Sequence, residues 1–310
     1  MVRVWRRTNT IIVDFRVQIF FEFNCRQSFA NLAYVNTNNI KNLAHFAVKK
    51  NRSKTTTMGK KRILLKIGSN TLTKETNHIS RGKIEDLGIQ IAALNEEYEF
   101  IIVSSGAIAA AKQFVKLDNQ DKDVFVKQAL ASIGQPHLMR IYNENFKDLG
   151  LNTSQCLLSY SDFEKEQTKK NIVNTINVLV KNHYIPIINE NDTVATDEIR
   201  FGDNDKLAAL TAVLLNVDIL IIATNTNGIY TKNSIHDKIP ETIKLVNDLK
   251  TLEKEIGESK SSHGTGGMQS KIEAAGIAKA ANIETWIVNG LNDNFILKAL
   301  KDEIPFTRIV

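Results

Sequence analysis

The feature that most restricts the fold is a repeated unit. A short apolar run stops at a polar turn containing glycine, and a helix-like stretch follows. Arg62-Ile63-Leu64-Leu65-Lys66-Ile67 stops at Gly68-Ser69-Asn70, and Phe100-Ile101-Ile102-Val103 stops at Ser104-Ser105-Gly106-Ala107. Runs that are apolar at consecutive positions suit strands covered on both faces. Between these two runs, Ser80 is placed to cap a helix carrying Ile84, Leu87, Ile91 and Leu94 on one face. A second helix of small residues, Ile108 to Ala111, follows the second turn. Strand, turn, helix, repeated, predicts an α/β fold with a mainly parallel sheet.

The rhythm continues along the chain. A helix is predicted over Asp123–Asp148, broken near Gly134-Gln135-Pro136, and a strand over Asn152–Leu158. A helix over Asn171–Lys181 turns Ile172, Ile176, Leu179 and Val180 inward, and the strand Tyr184–Ile188 runs into Asn189-Glu190-Asn191-Asp192. Val194–Phe201 suggests a small hairpin, and Gly202-Asp203-Asn204-Asp205-Lys206 opens a helix from Leu207 to Leu215. The strand Asp218–Ala223 ends in Thr224-Asn225-Thr226-Asn227-Gly228, Ile283–Val288 is the last central strand, and a final helix spans Asn292–Leu300. Open parallel sheets bind ligands beyond the carboxyl ends of their strands. Each polar strand exit alone is ordinary turn chemistry. Gathered along one edge, the exits predict a site.

Composition adds exclusions. No run approaches the roughly 18 apolar residues of a membrane helix. Two cysteines, Cys25 and Cys156, form neither a disulfide framework nor a metal-ligand cluster, and a reducing cytoplasm fits. The net charge of +6 is local: residues 1–57 hold ten Lys or Arg against two Asp or Glu, leaving 30 against 32 for the rest. The body is slightly acidic, so the basic balance does not argue for nucleic acid. The leader 1–57 has no glycine or proline, whereas an ordered segment normally carries turn punctuation. Met58-Gly59-Lys60 looks like a natural start, which makes the leader an upstream extension expected to be disordered. A targeting segment and an integral folded part are the alternatives.

Three of the fifteen glycines fall within Gly264-Thr265-Gly266-Gly267, ahead of Met268-Gln269-Ser270-Lys271 and a helix-like run. Glycines let backbone N–H groups turn toward a ligand, a helix start adds unpaired donors, and Lys271 adds a full charge. The stretch suits phosphate, although it lacks the spacing of a P-loop and by itself also matches a surface turn before a helix.

Lys66-Ile67-Gly68-Ser69, Ser105-Gly106-Ala107-Ile108, Asn189-Glu190-Asn191-Asp192, Gly202-Asp203-Asn204-Asp205 and Gly264-Thr265-Gly266-Gly267-Met268 with Lys271 together resemble the glutamate 5-kinases of the amino acid kinase superfamily. The match runs in order from about residue 61 to about residue 300. The resemblance implies a three-layer αβα sandwich of the carbamate kinase type over residues 58–310, with a glutamate-binding lobe over about 58–208 and an ATP-binding lobe over about 209–310. It implies ATP-dependent phosphorylation of the γ-carboxylate of L-glutamate, the first step of proline biosynthesis. Alternatives are another acceptor within the superfamily (acetylglutamate, aspartate, carbamate or UMP) and a catalytically silent binding protein.

By the same resemblance, Lys66 and Lys271 flank the transferring phosphoryl group, Asp205 holds both lysines, and Mg2+ bridges ATP oxygens. Ser105, Asp192, Asn204 and Asn189 are the substrate-binding candidates. A carboxylate such as Asp192 suits the substrate ammonium, while Ser105 and Asn204 suit its oxygens. Lys66, Gly68, Thr224, Asn225, Thr265, Gly266, Gly267, Met268, Gln269, Ser270 and Lys271 are the ATP-binding candidates. No metal-ligand set is expected on the protein. Implied partners are glutamate, ATP, proline as feedback inhibitor, further copies of the chain in a homo-oligomer, and functional coupling to glutamyl phosphate reductase. Neither membrane nor nucleic acid is expected. Two departures stand out: Thr224-Asn225 where family members often have Thr-Asp, and an end at Val310 that leaves no room for the PUA domain many members carry.

Overall fold

The computed structural model describes residues 59–74, 78–116, 123–194, 204–234, 237–255 and 267–310. The described chain forms β1 (Lys61–Ile67), α1 (Ser69–Thr73), α2 (Arg81–Leu94), β2 (Tyr98–Ser104), α3 (Ala107–Lys112), α4 (Val124–Lys147) and β3 (Asn152–Leu158). After a 3-10 turn at Tyr160–Phe163 come α5 (Glu166–Lys181), β4 (Tyr184–Glu190), α6 (Asp205–Leu214) and β5 (Ile219–Thr224). The rest comprises β6 (Leu245–Val246), α7 (Leu249–Glu255), α8 (Met268–Ala280), β7 (Glu284–Asn289), α9 (Phe295–Leu300) and β8 (Thr307–Ile309).

Eight strands form one sheet in the order β3-β4-β2-β1-β5-β7-β8-β6. The pairs from β3 through β7 are all parallel, and β8 runs antiparallel to β7. β1 is the pivot. The strands that follow it directly lie on one side, and from β5 onward the chain builds the other side. The crevice beyond the carboxyl end of β1 is therefore a topological switch point.

Alternation along β1 decides which face each side chain meets. Ile63, Leu65 and Ile67 join Ile84 and Leu87 of α2, Leu138 and Tyr142 of α4, and Phe295 of α9 in one cluster. Leu64 joins Ile172 and Ile176 of α5, Leu207 and Ala208 of α6, and Ala274 and Ala278 of α8 in the other. Fully burying one Leu or Ile side chain stabilises by about 1.5–3 kcal/mol, so two apolar layers on a double-sided sheet suffice to hold the strands. Lys66 shares the Leu64 face by period two. That face belongs to α6 and α8.

The expected α/β sheet is present, with two differences of detail. The helix expected to break at Gly134-Gln135-Pro136 is continuous from Val124 to Lys147. Proline removes the hydrogen bond to the carbonyl four residues back, here Ser132, and both Ser132 and Pro136 are on the exposed side, where water can serve that carbonyl. Gly134 meanwhile allows close crossing with α3: a Cβ there would lie 1.8 Å from the Ala107 carbonyl oxygen. β6, β8, α1 and α7 were not anticipated, since segments of two to seven residues carry too little periodicity to read. The hairpin expected over 194–201 lies almost wholly outside the described residues.

Candidate active site

The site assembles on three elements. Lys66 is the penultimate residue of β1, in register with Val103 on one side and Ile222 on the other. It is 3% exposed, and an ion in such a place costs several kcal/mol in lost hydration unless it is paired. Asp205, fully buried, is the first residue of α6, where a carboxylate interacts favourably with the helix dipole. Lys271 sits in the first turn of α8, the unfavourable end for a cation. Its presence there is explained by its partner: Lys271 Nζ donates to Asp205 Oδ2 at 2.9 Å. Lys66 Nζ pairs with the other oxygen, Oδ1. The single Ser270 hydroxyl proton has two acceptors in reach, Asp205 Oδ2 at 3.1 Å and the Gly267 carbonyl at 2.8 Å. Two cations on one carboxylate leave one positive charge in excess, in low-dielectric surroundings where an anion is attracted strongly. Asn204 occupies the N-cap position of α6 without a side-chain capping bond, and Asp205 is committed to the lysines.

Gly68 lies against this centre, since a Cβ there would sit 3.6 Å from Lys66 Nζ. Gly106 takes φ +109° at the start of α3, a conformation that favours glycine, and Ser105 beside it donates its backbone N–H to the Ile67 carbonyl at 2.9 Å. α8 begins at Gly267 with no side chain capping its first turn, so its leading N–H groups suit an anion.

The substrate candidates occupy a neighbouring polar seam. Asn204 Nδ2 donates to Asn189 Oδ1 at 2.7 Å and to the Ser104 carbonyl at 3.2 Å. With both N–H bonds turned inward, the atom of the Asn204 side chain left for a ligand is its carbonyl oxygen. Asn189 Nδ2 donates to Gln135 Oε1 at 2.8 Å, and Gln135 Nε2 donates to Gln155 Oε1 at 3.1 Å. Gln135, Gln155, Glu190 and Asp192 line a cavity of about 160 Å³. Burial pushes the Asp192 carboxyl up to about 6, because hydration of the charged form is lost. An acidic cavity of this kind suits an ammonium group.

On the far side of β1, Thr224 ends β5 and is buried, while Asn225 is exposed just beyond it. The Thr224 carbonyl accepts from the Gly290 N–H at 2.7 Å. Met268 packs against the apolar cluster that includes Ile229, Val246 and Ile272, and exposed Gln269 donates to Glu273 at 3.2 Å. Thr265 and Gly266 lie outside the described residues. Thus Lys66, Asp205, Ser270, Gly267 and Lys271 are joined by direct contacts, and Asn189 and Asn204 by another. The buried Gln135 and Glu190 were missed as functional candidates. The available signal for Gln135 was a glutamine in register with Ala131, Leu138 and Tyr142 on the apolar face of its helix.

The chain belongs to the amino acid kinase family, whose sequence profile matches residues 61–289, and within it to the glutamate 5-kinases. It is 41% identical over 250 residues to glutamate 5-kinase of Alkaliphilus oremlandii, covering 80% of this chain and 95% of that protein. It is 38% identical over 252 residues to glutamate 5-kinase of Vibrio vulnificus, covering 81% and 66%, and 36% identical over 248 residues to that of Streptococcus suis, covering 78% and 68%. The chain therefore spans about two thirds of the last two proteins. The crystal structure of UMP kinase from Ureaplasma parvum superposes with a TM-score of 0.56 at 18% identity, covering 81% of this chain and 99% of that one. That likeness is one of fold. Among the described residues no helix is long and apolar enough to cross a membrane.

Proposed function

We propose that the protein transfers the γ-phosphoryl group of ATP to the γ-carboxylate of L-glutamate, releasing ADP and L-glutamyl 5-phosphate for proline biosynthesis. The observation that carries this reading is the pair of ammonium groups, from β1 and α8, held on one buried carboxylate at the switch point. A glutamate side chain with its ordinary pKa near ~4.3 is already ionised at pH 7, so the acceptor needs no general base. The difficulty is repulsion: two unit charges about 4 Å apart repel by roughly 4 kcal/mol at an effective dielectric near 20. Phosphoryl transfer is accordingly a matter of positioning and charge neutralisation.

In this reading a carboxylate oxygen forms the new bond to the γ-phosphorus as the bond to the β,γ-bridging oxygen breaks, and ADP carries away the electron pair. Lys66 and Lys271 neutralise the phosphoryl oxygens, and Asp205 keeps both ammonium groups aimed. Asp192 and the Asn204 carbonyl receive the substrate ammonium, and Ser105 receives substrate oxygen. Thr224, Asn225 and residues 265–270 face the nucleotide, and Mg2+ enters with ATP. The same reading includes L-proline competing for the glutamate subsite, a homo-oligomer, a cytoplasmic setting and coupling to glutamyl phosphate reductase.

The test is ADP release with glutamate, acetylglutamate, aspartate and UMP in turn, with hydroxylamine present to trap an acyl phosphate. Glutamate-dependent hydroxamate is the expected result. Turnover of UMP without glutamate turnover would reject the substrate. Rising proline at subsaturating glutamate should reduce the rate, and a flat response would remove the feedback reading.

A further inference from the structure

We propose that Gln135, on α4, is a positioning residue for the acceptor-substrate subsite. Through Asn189 it holds Asn204 with its N–H groups inward and its carbonyl oxygen toward the ligand. This deepens the glutamate reading and rests on it.

Backbone groups pin the direction of each amide. The backbone N–H of Glu190 donates to the Asn189 side chain at 2.9 Å, so the atom facing it is Oδ1. The Ser104 backbone carbonyl accepts from the Asn204 side chain, so the atom facing it is Nδ2. Asn189 Oδ1 thereby receives two donors, and Asn189 Nδ2 needs an acceptor. Gln135 Oε1 supplies it, and Gln155 Oε1 in turn receives Gln135 Nε2. Gln135 and Asn204 are each 8% exposed and Asn189 is 3% exposed, so water does not readily replace a lost partner. An amide donor left unmet in such a place turns away to find one, and Asn204 would lose the oxygen that holds it. α4 supports the other end of the seam too: Tyr142, two turns beyond Gln135, hydrogen-bonds Ser104 Oγ at 3.0 Å. One helix therefore contacts both residues that hold Asn204, Asn189 through Gln135 and Ser104 through Tyr142.

The chemical consequence is polarity. With its two N–H groups committed, Asn204 adds an acceptor to a subsite whose cavity carries Asp192 and Glu190, and acceptors of this kind select an ammonium. Gln135 would then govern discrimination between glutamate and glutarate, its analogue lacking the amine.

The experiment compares wild type with Gln135→Met, a near-isosteric side chain without the amide, and Gln155→Leu, at an exposed position of the edge strand. For Gln135→Met, KM for glutamate should rise about tenfold or more while KM for ATP stays within about twofold. The ratio of kcat/KM for glutamate over glutarate should fall about tenfold. Gln155→Leu should shift both in the same direction by less. Side-chain amide hydrogen exchange of Asn204 in the unliganded protein, followed by NMR, should accelerate about tenfold in Gln135→Met. Unchanged exchange, or a rise in both KM values with the glutamate-to-glutarate ratio intact, would overturn the proposal. Should Gln135→Met not fold, Gln155→Leu carries the same readouts, and no change in them is equally fatal. Because exchange needs no substrate, a wild type that ignores glutamate overturns the substrate reading while the exchange result still decides the role of Gln135.

Discussion

Asp205→Asn tests whether the two lysines and the aspartate form one electrostatic unit. The substitution keeps shape and removes a charge that Lys66 and Lys271 both contact, one on each carboxylate oxygen. All three side chains are buried, with 3%, 0% and 7% exposure for residues 66, 205 and 271. Breaking a buried pair by removing one partner costs about 3–5 kcal/mol. The two ammonium groups, at an assumed separation of ~5 Å, would repel by about 3 kcal/mol at an effective dielectric near 20. For a domain of this size the loss corresponds to a fall in Tm of roughly 10 °C. A second substitution, Lys271→Met, should therefore destabilise the wild type but spare or even restore Asp205→Asn, because it removes the repulsion. Thermal and urea unfolding of the wild type, both single variants and the double variant give the coupling. The expected coupling is about 2–3 kcal/mol, and additivity within about 0.5 kcal/mol would refute the idea of a unit. The rate should fall about 100- to 1,000-fold in Asp205→Asn, since the cations no longer share a fixed anchor.

Lys271→Ala should abolish nearly all hydroxamate formation, by about 1,000-fold or more, with the circular dichroism spectrum retained; a variant keeping a tenth of the rate would contradict the role of Lys271. The pH dependence follows from Asp192, which burial raises to about 6. A carboxyl raised in the folded protein favours the protonated form, so its ionisation works against the fold as pH climbs from about 4 to about 6. Ammonium binding needs the ionised form, so KM for glutamate should rise about tenfold at pH 5 relative to pH 8, and Asp192→Asn should flatten that profile. Gly134→Ala would place a Cβ 1.8 Å from the Ala107 carbonyl oxygen. It should therefore cost about 1–3 kcal/mol or more in urea unfolding, and a neutral result would mean that α3 and α4 shift apart freely.

Much of the candidate site was legible because its lysines break a local pattern. Lys66 lies near the end of a run of buried aliphatics and Lys271 follows a glycine cluster at a helix start, both odd places for a cation without a task, and Asp205 sits in a dense polar turn. The polar seam was less legible. Asn189 was visible at a strand exit, but its partner Gln135 lies fifty-four residues earlier in the chain, and nothing local says which amides will meet or which atom of each faces inward. Residue type placed Asn204 among the substrate candidates without saying which of its atoms turn inward, and the structure turns both side-chain N–H bonds that way. The break expected at Pro136 failed for a similar reason. Proline costs the helix one hydrogen bond locally, while packing against α3 and a solvent-facing carbonyl at Ser132 keep the helix whole.

Taken alone, the amino-acid order settled what alternation and turn chemistry can settle: a mainly parallel sheet covered on two faces, with polar exits along one edge. Those properties depend on neighbours a few positions apart. The meeting of Lys66 and Lys271 on one carboxylate, and the inward turn of the Asn204 amide, were decided by the tertiary structure. Charge and hydrogen-bond partners there are shared between segments brought together only when β1, α4, α6 and α8 converge on the switch point.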